Sequence, residues 1–292
     1  MSWRTVVISH RCKLDFKMGN MVVRSDKICR IRLDEVSVII IEDTAVSITA
    51  YLLNEISKRK IKLIFCDESR NPAFELVPLY GSHDCSARLK AQLQWRNDIK
   101  VEVWTSIVAE KISKQSEMLL KISKNEEANM LQQYISELEL NDSTNREGHS
   151  AKVYFNALFG KDFSRTQDIG INAALNYGYS ILLSIVNREI VANGYTTKLG
   201  LFHSNMFNFF NFSCDLMEPF RVVVDRVVYE MKVGIFEKEE KHLLITNLLN
   251  YTLNIDGREE YFPNAIKVYC KAVLKVLNSN DISNIRFYEF LD

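Results

Sequence analysis

Ser37-Val38-Ile39-Ile40-Ile41-Glu42-Asp43-Thr44-Ala45 holds the turning point of the first part of the chain. Its first half is a short apolar run of the kind that forms a strand. Asp43 or Thr44 then supplies a side-chain oxygen able to cap a helix, and Ala45, Ile48, Leu52 and Ile56 follow at helical spacing. A helix is therefore predicted directly after the strand. Working outward, Thr5-Val6-Val7-Ile8, Met21-Val22-Val23 and residues 28–33 precede it, residues 61–65 follow it, and each reads as a strand bounded by turn residues. Met18-Gly19-Asn20 lies between two of these runs and predicts a hairpin. One helix thus interrupts a β-rich region.

After Pro78 the period changes, with the boundary placed near Tyr80-Gly81. Helical spacing marks residues 84–97, 98–123, 126–140, 147–159, 168–193, 214–233, 237–251 and 262–278. Asn193-Gly194 looks like a helix end, and Pro219 is expected to kink or restart the helix that carries it. The class is α+β: a small β-rich domain over residues 1–80, then a large all-α domain over 81–292.

Among 292 residues, 47% are hydrophobic and 25% charged, with 10 Gly and 4 Pro, which excludes a disordered chain. The best apolar stretch, residues 181–186, runs into Asn187, Arg188 and Glu189, too short for a membrane span. Met1-Ser2-Trp3-Arg4 lacks a signal-peptide layout, so a cytoplasmic protein is expected. Cys12, Cys29, Cys66, Cys85, Cys214 and Cys270 lie far apart and read as reduced thiols. Lys plus Arg balance Asp plus Glu at 37 each, so a DNA-binding surface would need its positive charge sorted onto one face.

Of five histidines, His203 has the neighbourhood of a ligand: it falls between helices, and Asp215 and Glu218 follow. Three apart on a helix, those carboxylates share a face, which is unfavourable unless a cation or basic group sits between them. The alternative is a solvated helix face beside a core histidine. Glu147, in Asn145-Arg146-Glu147-Gly148-His149, stands where a helix begins, and its alternative is a first-turn glutamate favouring the helix dipole.

Four ordered strings carry more than any of these alone. They are Glu147-Gly148-x-x-Ala151-x-x-Tyr154-Phe155, Asn172-Ala173-Ala174-Leu175-Asn176-Tyr177-Gly178-Tyr179, Leu199-Gly200-x-x-His203, and Asp215-Leu216-Met217-Glu218-Pro219-Phe220-Arg221. In order and spacing they resemble the family of the first CRISPR-associated protein, the endonuclease and integrase of spacer acquisition. Tyr80-Gly81-Ser82-His83-Asp84 and the β-rich start resemble its type II branch.

The resemblance implies a divalent metal on Glu147, His203 and Glu218, with Asp215 beside the site. The third acidic residue is Asp in some branches of the family and Glu here. The implied reaction is attack of a DNA 3′-OH on a phosphodiester of the CRISPR repeat, inserting a short double-stranded fragment (the prespacer). An imidazole donor would tip preference toward Mn2+, with Mg2+ serving by abundance. Implied partners are double-stranded DNA, a second copy of the chain joined through the β domains, a bridging dimer of the second Cas protein, and in type II systems the effector nuclease and a ring-shaped accessory.

Around this core, Asn172 and Asn176 lie a helical turn apart, the resemblance rather than the spacing implies that they orient Glu147 or its backbone, and Tyr177 is expected to place a hydroxyl near the site. Arg221 and Arg226 are candidate phosphate contacts, their alternative being pairs with Asp215 or Asp225. Lys267, Lys271 and Lys275 recur on one helix face, for DNA or merely for solvent. Phe202, Phe207, Phe209, Phe210 and Phe212 crowd His203 as a dry wall or a partner surface. Two other readings remain at this stage: a DNA-binding scaffold without catalysis, and a metal-dependent phosphoesterase for a small molecule.

Overall fold

The computed structural model describes residues 4–76 and 84–291. Tyr80-Gly81, where the domain boundary is expected, lies outside the described residues. The chain separates into two compact units, Met1–Cys85 with Val191–Gly194, and Ser86–Ile190 with Tyr195–Asp292.

The first unit contains β1 (Arg4–Ile8), β2 (Lys13–Lys17), β3 (Asn20–Arg24), β4 (Ile28–Arg32), β5 (Val36–Ile41), β6 (Ser47–Ile48), α1 (Ala50–Lys58), β7 (Lys62–Cys66) and β8 (Pro72–Glu75). They form two four-stranded sheets, ordered β1-β5-β7-β8 and β4-β3-β2-β6. β5 pairs in parallel with β1 and β7, and all six of its residues are buried, as a central parallel strand requires. Leu14, Met21, Leu33, Ile39, Leu52, Ile56 and Leu63 fill the core. Met18 and Gly19 form the tip of the β2–β3 hairpin.

The helix after β5 starts later than expected. Asp43 spends its carboxylate on a turn, accepting from the Ala45 amide at 2.8 Å, and residues 47–48 pair with β2 instead of coiling. Thr49, not Asp43 or Thr44, caps α1 by accepting from the Leu52 amide at 3.3 Å. Leu52 and Ile56 are buried as their spacing demands, while Ala45 and Ile48 precede the helix.

The second unit contains α2 (Cys85–Leu93), α3 (Asn97–Lys121), α4 (Asn125–Ser136), α5 (Arg146–Phe159), α6 (Gly170–Ala192), α7 (Asn211–Met231), α8 (Lys238–Leu249), β9 (Thr252–Ile255), β10 (Arg258–Tyr261), α9 (Phe262–Ser279) and β11 (Tyr288–Phe290). The three strands form one antiparallel sheet ordered β10-β9-β11, so the helical unit is not purely helical. Asp256-Gly257 between β9 and β10 is a two-residue hairpin signal, but four-residue strands carry too little alternation to stand out beside long helices. No helix among the described residues is long and apolar enough to cross a membrane.

α7 is the axis of this unit, buried along nearly its whole length and packed on α3. It runs unbroken through Pro219, whose carbonyl accepts from the Tyr288 hydroxyl at 3.0 Å. α6 passes against it at Gly178, where an added Cβ would stand 2.4 Å from Val224 Cγ1. A Gly178→Ala change thus gains helix propensity yet overpacks a stiff β-branched neighbour. Denaturant unfolding should show a net loss of about 1–3 kcal/mol.

Candidate active site

Three helices bring one ion cluster together. Asp142 accepts from the amides of Arg146 (2.6 Å) and Glu147 (3.1 Å), capping α5 so that Glu147 stands in its first turn. Glu218 projects from the buried middle of α7. Between them lies Lys111 of α3, whose ammonium donates to Glu147 Oε1 and, at 2.6 Å, to Glu218 Oε2. Arg221, one turn along α7, donates to the other Glu218 oxygen at 2.9 Å and lies over the Tyr179 ring, 4.5 Å from its centroid. Burial alone would raise the Glu218 pKa, but Arg221 and Lys111 outweigh it and draw the carboxyl down to about 2. Burial alone would likewise lower the Lys111 pKa, and Glu218 and Glu147 reverse the sign. Glu218, Lys111 and Arg221 are therefore charged at neutral pH.

His203 is placed by Asp215, which is fully buried in α7. One Asp215 carboxylate accepts from the backbone amides of Leu201 (2.5 Å), Phe202 (3.2 Å) and His203 (3.1 Å), and from His203 Nδ1 at 2.6 Å. Gly200 makes room for it: a Cβ there would sit 2.7 Å from Asp215 Oδ2 and 2.3 Å from the His203 carbonyl. The Leu199-Gly200-x-x-His203 string is thus a loop wound around a buried carboxylate. Its hydrogen bond to Asp215 raises the His203 pKa against burial. Trp104 meets the imidazole in a T-shaped pair with ring centroids 5.7 Å apart and stacks face to face on Phe202 at 4.6 Å.

These groups open onto two clefts. A cleft of about 240 Å³ is lined by Lys111, Gln115, Glu147, Arg165, Glu218 and Arg221 among others. A larger one, about 590 Å³, is lined by His203 together with Trp95, Lys100, Lys198 and Phe209. Two carboxylates gathered on one positive charge are hard oxygen donors of the kind a divalent cation takes, so the pair fits one. No three His, Cys, Asp or Glu side chains among the described residues form a metal-holding group. Asp215 ties the His203 ring to its loop, where the charges of Glu218 and Glu147 also act on it, and the Lys111 ammonium lies between the two glutamates.

Several other residues take different positions from those expected. Asn172 and Asn176 do not orient Glu147; each accepts from Arg165 at 2.6 Å and together they hold its guanidinium at the cleft. Tyr177 packs against Phe236 and under Lys241, away from the cleft, and the tyrosine that lines it is Tyr179. Two residues along a helix is about 200° of rotation, which puts the pair on opposite faces. Arg226 does not reach the cleft; it pairs with Glu230 at 2.9 Å and lies over Phe290 and Tyr251, since five residues turn it away from Arg221. Arg221 itself pairs with Glu218 rather than with Asp215 or Asp225.

Lys271 and Lys275 are exposed and Lys267 is half-buried on α9, an arrangement that suits solvent and phosphate alike. Of the phenylalanines around His203, Phe212 is core, Phe202 is the stacked wall, and Phe207 and Phe209 are exposed. Lys111 and Gln115 were not singled out from the sequence. The signal was there: they fall on the apolar stripe of Trp104, Val108, Ile112 and Leu119, where a polar side chain needs a buried partner.

Asp225 lies behind Tyr179, whose hydroxyl donates to it, and burial pushes its carboxyl from 3.8 up to about 6. The native state then binds the proton more tightly than the unfolded chain, so this stabilisation is complete below about pH 4 and lost as pH rises through about 6. A rise of this size corresponds to roughly 3 kcal/mol. Asp225→Asn removes the titration and keeps an acceptor for Tyr179. In denaturant melts the variant should gain about 3 kcal/mol relative to the parent between pH 4 and pH 7.

Comparison with known proteins agrees with this architecture. The family described as CRISPR associated protein Cas1 matches residues 5–266. A CRISPR-associated endonuclease Cas1 of Neisseria meningitidis serogroup C (strain 8013) is 33% identical over 263 residues, covering 88% of this chain and 86% of the relative. Among solved structures, a casposase bound to integration product superposes with a TM-score of 0.77 at 17% identity, covering 97% of this chain and 92% of that one. A Cas6-RT-Cas1–Cas2 complex has a TM-score of 0.75 at 16% identity, with 99% of this chain matching 36% of a longer one. A match that runs from β1 through the helices bearing Glu147 and Glu218 and the loop bearing His203 makes this chain a member of the Cas1 family.

Proposed function

We propose that the chain is a metal-dependent DNA endonuclease and integrase of CRISPR spacer acquisition, joining the 3′-OH ends of short double-stranded DNA into the CRISPR repeat by transesterification. The observation that carries it is the meeting of Glu147 and Glu218, from two helices, at a single positive charge in a cleft also lined by Arg165 and Arg221. Glu147 and Glu218 would hold Mg2+ or Mn2+, with His203 the third donor. When bound, the cation would neutralise charge growing on the phosphodiester and favour the ionised attacking oxygen.

The chain's own residues have separable tasks. Asp215 accepts a hydrogen bond from His203 Nδ1–H, which leaves Nε2 as the electron-pair donor. Arg221 fixes the rotamer of Glu218. Arg165 forms no ion pair among the described residues; its two asparagine acceptors hold it at the cleft, where it can meet a DNA phosphate. It takes the place that Arg226 was expected to fill. The Phe202–Trp104 stack shields one side of the imidazole from water.

The names of the similar proteins support DNA and the second Cas protein as partners, and a homodimer through the β-rich unit belongs to the same reading. Tyr80-Gly81-Ser82-His83-Asp84 supports the type II branch, where the effector nuclease and ring-shaped accessory would join.

Glu147→Ala tests the reading against a scaffold without catalysis. With Mn2+ and branched DNA, strand-joining and cleavage should fall more than about 100-fold while the variant still binds DNA as tightly as the parent does in EDTA. EDTA should stop the parent protein, and products that persist under chelation would remove the metal from the account.

A further inference from the structure

Both oxygens of Glu218 are already taken, one by Lys111 and the other by Arg221. A divalent cation joining Glu218 to Glu147 must therefore replace one of these partners. Arg221 is poorly placed to leave: it sits three residues away on the same helix, and its planar head lies on the Tyr179 ring. Lys111 reaches in from α3 on a flexible four-carbon stem and occupies the space between the two carboxylates.

The cleft also contains somewhere for a displaced ammonium to go. Gln115 lies one turn further along α3, lines the same cleft and is 1% exposed. Its Oε1 atom is buried without a hydrogen-bond partner. An unsatisfied buried acceptor one helical turn from a lysine is a second resting place for that lysine's charge.

We propose that Lys111 is the resident counter-cation of this cleft, displaced from between Glu147 and Glu218 by the divalent cation and turned toward Gln115, where its charge is offered to the substrate phosphate. The inference rests on the reading of Glu147 and Glu218 as cation holders. Charge balance gives it direction. Glu147, Glu218 and Asp225 against Lys111, Arg165 and Arg221 sum to neutrality, so an added divalent cation repels the basic groups and leaves the cleft positive. A phosphodiester then compensates. Metal binding and DNA binding are thereby coupled through one lysine: the ammonium keeps the cleft assembled without metal and weakens metal affinity until DNA is present.

The test is Mn2+ titration of the whole chain without DNA, read from the loss of the free-ion electron paramagnetic resonance signal, for the parent, Lys111→Met, Lys111→Arg and Glu147→Gln. Removing the competing charge should tighten Mn2+ binding about fivefold or more in Lys111→Met, whereas Lys111→Arg, whose fork grips both carboxylates, should weaken it by a similar factor. Melting in EDTA should show Lys111→Met less stable than the parent, with a larger recovery on adding Mn2+. DNA affinity should rise with Mn2+ in the parent and rise less in Lys111→Met. Mn2+ affinity in Lys111→Met equal to or weaker than the parent's overturns the proposal. If the Met variant does not fold, Lys111→Arg decides, and affinity equal to or tighter than the parent's overturns it. Binding lost in Glu147→Gln but indifferent to Lys111 sinks this inference alone. A parent chain that binds no Mn2+ sinks the cation site with it.

Discussion

Lys111 holds its ammonium between Glu147 and Glu218, and in doing so ties α3, α5 and α7 at one point. The cluster is buried on the Lys111 and Glu218 sides and half-buried at Glu147, so neither carboxylate nor ammonium can be left alone without cost. Removing one partner from a buried ion pair typically costs 3–5 kcal/mol, because the survivor keeps its desolvation penalty. The interaction therefore fixes the spacing of the three helices and keeps two like charges at the bottom of a cleft.

The second anchor is the Asp215 carboxylate, which organises the loop after α6 by accepting three backbone amides and the His203 ring. Its position three residues before Glu218 puts both anchors on the same stretch of α7, one serving the loop and the other the ion cluster. His203 is thus controlled from the same helix as Glu218 while opening onto a different cleft. The like-charge conflict between Asp215 and Glu218 is resolved by giving each its own set of donors rather than by one shared cation. Glu147 and Glu218 thus gather on Lys111, and His203 belongs to a loop held by the hydrogen bonds of Asp215.

Much of this was readable residue by residue. Helical spacing located α3, α5, α6 and α7 within a few residues, and the β-branched run at 37–41 marked the central strand. Glu147, His203, Asp215 and Glu218 stood out because their strings match a family in order and spacing. Tyr177 in place of Tyr179, and Arg226 in place of Arg165, went astray for one reason: nearness in sequence was taken for nearness in space. Helical rotation sends residues two or five apart to different faces, and Arg165 reaches the cleft from a loop. Lys111 escaped notice because a lysine on a helix is ordinarily surface, and only its place in an apolar stripe argued otherwise.

By itself, then, the amino-acid sequence determined the long helices and the central strand and which faces they bury, since periods of two and 3.6 are local properties of the backbone, whereas the short strands β2, β6 and β8–β11 carried too little pattern to be read. It also determined the chemical inventory and the family. The tertiary structure alone decided who partners whom: that Lys111 meets Glu147 and Glu218, that Asn172 and Asn176 hold Arg165, and that Asp215 claims His203. Such pairings join residues up to 107 positions apart, as Lys111 and Glu218 are. They depend on how helices cross, which is set by packing summed over the whole core rather than by any local string.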